Sequence, residues 1–156
     1  MRFNCGQFSI ELPSGWMDTT EEPWPFTLSK PDGAGALQFS AAIYRSGQFP
    51  VPTTDELSGL LFEFAAAHDL GNPSDIFQQS GKITLASSSF RPDADSFIRA
   101  WYLSDGYSIA KITYTCHPSD VGSELDEAEF IVRSLQFPEV APNNSCMDSS
   151  VKQSLP

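Results

Sequence analysis

Apolar side chains recur with two different periods along this chain, and the switches between them mark its elements. Phe8, Ile10 and Leu12 alternate with Gln7, Ser9 and Glu11, the pattern of a half-buried strand, until Pro13-Ser14-Gly15 breaks it. Pro23 and Pro25 flank Trp24. Phe26 to Ser29 is then a short extended run ended by the turn signal Pro31-Asp32-Gly33, so Ala36 to Tyr44 is predicted to return beside it. Gln48 to Pro52 reads as loop, because Pro50 and Pro52 fit neither a helix nor a central strand. At Thr53 the period changes. Leu57, Leu60, Leu61, Phe64 and Ala65 recur at helical spacing, Thr53 with Glu56 fits a capping box, and Gly71-Asn72-Pro73 ends the run.

From Ile76 to Phe90 the chain is Ser-rich and weakly alternating, which predicts one or two exposed strands joined near Ser80-Gly81. Phe97 to Cys116 gives the strongest local signal: two alternating strands around Asp105-Gly106, a pair that favours a type I′ hairpin. Counting out from that turn pairs Trp101 with Ala110, Arg99 with Ile112 and Phe97 with Tyr114. Phe97, Trp101, Leu103, Ala110, Ile112, Tyr114 and Cys116 then share the core face, while Ile98, Tyr102, Ile109, Lys111 and Thr113 share the other. After His117-Pro118, Ser119 or Asp120 is placed to cap a second helix with Leu125, Ala128, Phe130, Ile131, Val132 and Leu135 on its apolar side. Past Pro138 no periodicity remains, so residues 139–156 are expected to be a flexible polar tail.

The 156 residues, 40% hydrophobic, suffice for one packed domain over residues 1–138. Nine Lys and Arg against twenty Asp and Glu leave a net charge of −11, which disfavours nucleic acid and anionic membrane surfaces as partners. The first twelve residues lack the continuous apolar run of a signal peptide, so a cytoplasmic location is expected. Cys5, Cys116 and Cys146 are widely spaced and form no C-x-x-C pair, which fits reduced thiols and neither a zinc site nor a redox motif.

Catalytic and cofactor motifs are lacking. There is no G-x-S-x-G, Gly81-Lys82 lacks the rest of a phosphate loop, and Asp93 with Asp95 is not continued into a calcium loop. Cys116 and His117 are adjacent in a strand and point to opposite faces, so they do not make a nucleophile pair. No catalytic residue, metal or cofactor is expected. The remaining candidates are acidic and aromatic. Asp120, Glu124, Asp126, Glu127 and Glu129 form either a solvated helix face or a docking surface for a basic protein. Trp16, Trp24 and Phe26, set among prolines, either close one end of the core or anchor an interface.

The string Phe8-Ser9-Ile10-Glu11-Leu12-Pro13-Ser14-Gly15-Trp16 resembles the F-x-I-x-L-P-x-G-W opening of PsbP-like α/β proteins, and Ile131 to Phe137 is similar to the I-x-x-S-L-x-F end of their closing helix. The resemblance spans about residues 3–138. It implies an α+β fold, an antiparallel sheet of about five to seven strands flanked by two helices. It also implies a non-enzymatic binding protein, since bacterial branches of that group include immunity proteins and chaperones that load effectors for type VI secretion. A cognate toxin or secreted effector is accordingly the expected partner. The chaperone alternative needs Ile98, Tyr102 and Ile109 exposed as an apolar surface, and a small-molecule role needs a deep pocket. The resemblance carries over no catalytic residue, because its matched positions read as core.

Overall fold

A computed structural model describes residues 1–22, 25–43 and 52–138. Along the chain it contains β1 (Arg2–Asn4), β2 (Ser9–Glu11), β3 (Met17–Asp18), β4 (Phe26–Ser29), β5 (Gly35–Ile43), α1 (Thr54–Ala67), β6 (Ser74–Gln79), β7 (Thr84–Asp93), β8 (Ser96–Ser104), β9 (Ser108–Cys116) and α2 (Ser123–Arg133). Strands β3 to β9 form one seven-stranded sheet in the order β3-β4-β5-β9-β8-β7-β6, every neighbouring pair antiparallel. The arrangement is the α+β architecture that the resemblance implies, an antiparallel sheet with two helices.

The sheet is covered unequally on its two sides. On one side α2 and the β1-β2 ribbon close the main core, in which Ile10, Leu28, Leu37, Trp101, Ile112, Tyr114, Ile131 and Val132 are fully buried. The ribbon is tied to the chain leaving α2 by reciprocal backbone hydrogen bonds between Ser9 and Gln136, both 2.9 Å. On the other side α1 lies over β7 and β8, setting Leu57, Leu61 and Ala65 against Ala86, Phe90 and Ala100. Its start is the predicted capping box: Thr53 Oγ1 accepts from the Glu56 amide, and the Glu56 carboxylate accepts from the Thr53 amide.

Four expectations are corrected. First, the β8-β9 hairpin pairs Trp101 with Ile112, Arg99 with Tyr114 and Phe97 with Cys116, two residues away from the predicted register. The cause is a longer turn, in which Asp105 Oδ1 accepts from the amides of Tyr107 and Ser108 and Gly106 takes a φ of +101°. A shift of two keeps each side chain on its predicted face, and all seven core-face residues are buried. Second, β7 is buried from Thr84 to Phe90, because small serines let α1 and a buried arginine approach it from either side. Third, α2 starts at Ser123 behind a 3-10 turn, with Gly122 as N-cap and no capping side chain from Ser119 or Asp120. Fourth, Ile98 and Tyr102 pack with the α1 cluster and Ile109 packs with Leu57, so the apolar surface needed for the chaperone alternative lies beneath α1.

Candidate functional site

The acidic helix was the leading candidate surface, and three of its carboxylates turn out to be internal fasteners. Glu124, which is buried, accepts from the amides of Ala34 (3.0 Å) and Gly35 (2.8 Å) and from the Tyr114 hydroxyl (2.7 Å). Gly35 is required there, since a Cβ would collide with the Thr115 carbonyl and crowd Tyr114. Burial, reinforced by the bond to Glu124, pushes the Tyr114 phenol well above its usual range.

Glu127 accepts from Trp16 Nε1 at 2.7 Å and meets Lys30 Nζ at 3.3 Å. The indole N–H is the main reason its carboxyl is held below the usual carboxylate value. Glu129 bridges Arg99 Nε (3.3 Å) and Arg133 Nε (3.1 Å). Arg99, only 4% exposed, also donates to the Ser87 and Ser89 hydroxyls and to the Asp75 carbonyl, and so ties β6, β7 and α2 together.

Of the candidate aromatics, Trp16 and Phe26 take the core-closing place. Trp16 is buried, held by Glu127, and Phe26 is half-buried in a ring cluster with Phe3, Phe8 and Phe39 at centroid distances of 5.3 to 6.1 Å. Large aromatics beside prolines are here spent on closing the core. Trp24 lies outside the described residues.

Of the proposed surface residues, Asp120 and Asp126 remain exposed. They are joined by side chains that periodicity misassigned or left unnoticed. Phe130, placed by sequence on the apolar side, is 54% exposed. Ala128, Ile131, Val132 and Leu135 already form a complete helical stripe, and Phe130 falls outside it, a signal present in the spacing. One turn on from Phe130, the Arg133 guanidinium lies 4.7 Å from the Phe77 ring centroid. Phe77 and Ile76 belong to β6, an edge strand exposed along its whole length. The outer side of α2 and the neighbouring edge therefore expose Asp126 and Phe130 beside Phe77 and Asp75.

Among the described residues no group of three or more His, Cys, Asp or Glu is placed to hold a metal. His117 Nδ1 accepts from the Ser119 amide at 3.1 Å and is spent on capping the 3-10 turn. His68 packs against Phe64 with its ring tilted by 48°. Burial pushes the Cys5 thiol up to about 12 and raises that of Cys116, so neither is poised as a nucleophile.

No family model matches the chain, and no curated protein matches it. Solved structures do. The solution structure of cyanobacterial PsbP (CyanoP) from Synechocystis sp. PCC 6803 aligns with a TM-score of 0.63 over 88% of this chain and 92% of that one, at 7% identity. The fold is PsbP-like. A Bacteroides thetaiotaomicron VPI-5482 protein, known from a crystal structure at 1.50 Å, aligns with a TM-score of 0.57 at 18% identity. That match covers 85% of this chain and 46% of the other, so this chain spans about half of its length. At such identities the likeness is one of fold. The positions carrying the sequence resemblance, Phe8, Ile10, Leu12, Trp16, Ile131 and Leu135, are all buried, as framework residues of a PsbP-like fold should be. No helix among the described residues is long and apolar enough to cross a membrane.

Proposed function

We propose that this is a non-catalytic, intracellular binding protein, an immunity-type partner that neutralises a cognate bacterial toxin by covering part of its surface. The observation carrying this reading is the patch where α2 meets the β6 edge. There Phe130, 54% exposed, stands in water one helical turn from Asp126, with Phe77 and Asp75 on the neighbouring edge strand of a chain of net charge −11. Exposed apolar anchors with carboxylates around them suit a partner that is basic at its rim and has pockets for large side chains. The PsbP-like resemblance, whose bacterial branches include immunity proteins, suggests the class of partner. The effector-loading alternative would have to use a different surface from Ile98, Tyr102 and Ile109, which α1 covers.

The test is capture of a stoichiometric partner by the tagged full chain, followed by co-expression of the two. A partner toxic alone and harmless with this protein supports the reading, and a captured protein without toxicity sinks it. Phe130→Ala should weaken such a complex about tenfold, or ~1.4 kcal/mol, while thermal melting of the free protein stays unchanged.

A further inference from the structure

A groove of about 800 Å³ lies where the β6-β7 turn, the β8-β9 turn and the segment leaving α2 converge on β1. Its charge runs against that of the rest of the molecule. Nine basic residues in this chain face twenty acidic ones, yet Arg2, Lys82 and Arg133 all line this groove. The single carboxylate in its wall among the described residues, Asp105, is engaged with the amides of Tyr107 (2.9 Å) and Ser108 (2.8 Å).

Two of the cations are held in place from outside the lining. Arg2 pairs with Glu11 at 3.1 Å and donates to the Ser134 carbonyl at 2.9 Å, which answers the partial negative charge at the end of α2. Arg133 is fixed by Glu129 and by Gln79 Oε1 at 3.3 Å. Lys82 has no ion pair among the described residues. Between the cations the wall is apolar: Ile83, Tyr107, Leu135 and Phe137.

We propose that this groove is a binding site for small amphipathic carboxylates. The anionic head is taken by Lys82 with the two guanidiniums flanking it, and the hydrocarbon body lies on Ile83, Leu135 and Phe137. A few placed charges on a mostly apolar concavity are the usual make-up of small-ligand sites. The inference stands apart from the toxin-binding reading, because it needs neither a protein partner nor the exposed face of Phe130.

The experiment is titration of the isotopically labelled full chain with octanoate, followed by amide chemical shifts. Saturable shifts at Lys82, Ile83, Tyr107 and Phe137 are expected. Octanamide, which keeps the chain and loses the charge, and acetate, which keeps the charge and loses the chain, should each bind at least about fivefold more weakly. Lys82→Glu changes an exposed side chain and should weaken octanoate about fivefold or more while leaving the spectrum of the free protein folded. Absence of saturation in the groove, equal affinity for octanamide, or an unchanged affinity in Lys82→Glu would overturn the proposal.

Discussion

A carboxylate bonded to two backbone amides and a phenol is a structural acceptor whatever the charge of its neighbours in sequence. Removing it in Glu124→Ala leaves the donors of Ala34, Gly35 and Tyr114 without that acceptor, and the folding free energy measured in urea should fall by about 3 kcal/mol. Glu124→Gln keeps one carbonyl oxygen and should cost less, about 1 kcal/mol. Glu127 carries a pH signature. Its folded pKa is depressed, so its contribution is present above the unfolded carboxylate value and is lost as pH falls through the folded one. Chemical denaturation across the acid range should show that loss, and Glu127→Gln should flatten it. Neither role was legible in sequence. A run of acids in one helix predicts a solvated face, whereas the partners of Glu124 and Glu127 are set by a turn and a tryptophan far away in the chain.

At the scale of elements, strong periodicity was readable and small polar residues were not. The α1 capping box, the β4 run and the faces of β8 and β9 follow from spacing alone, because one side of each must leave water. The hairpin register depended on an aspartate that satisfies two turn amides, a choice made by geometry outside the dipeptide signal. β7 looked exposed because serines are polar. Its burial comes from Arg99, whose donors satisfy Ser87 and Ser89, while Ser88 on the opposite side donates to the Ser74 carbonyl. Arg99→Met should therefore loosen β6 first. Amide exchange over Ser74 to Gln79 should accelerate well beyond that in β8 and β9, with a loss of global stability of about 3 kcal/mol from the buried acceptors left behind.

For the whole molecule, charge governs encounter more than it governs fold. At net −11 the chain repels other acidic macromolecules and is drawn to basic ones over roughly the Debye length, ~8 Å at physiological salt. The association rate with a basic partner should thus drop steeply with ionic strength, and Asp126→Lys should reduce both the rate and its salt dependence. Stopped-flow or surface-binding kinetics across a salt series reads both effects, and a rate indifferent to salt would exclude electrostatic steering at this face.

The order of strands in the sheet also fixes an order in time. β6 to β9 form a meander whose turns join sequence neighbours, and β3 to β5 form a second, while β5 meets β9 across everything between them. Each meander closes short loops, so its contacts are entropically cheap. The seam from Gly35–Cys116 to Ile43–Ser108 must instead wait until two separately nucleated halves find one another. The β5–β9 seam is then expected to form after the meanders on either side of it, so that the middle of the sheet and not its edges sets the folding rate, which substitutions along that seam should slow.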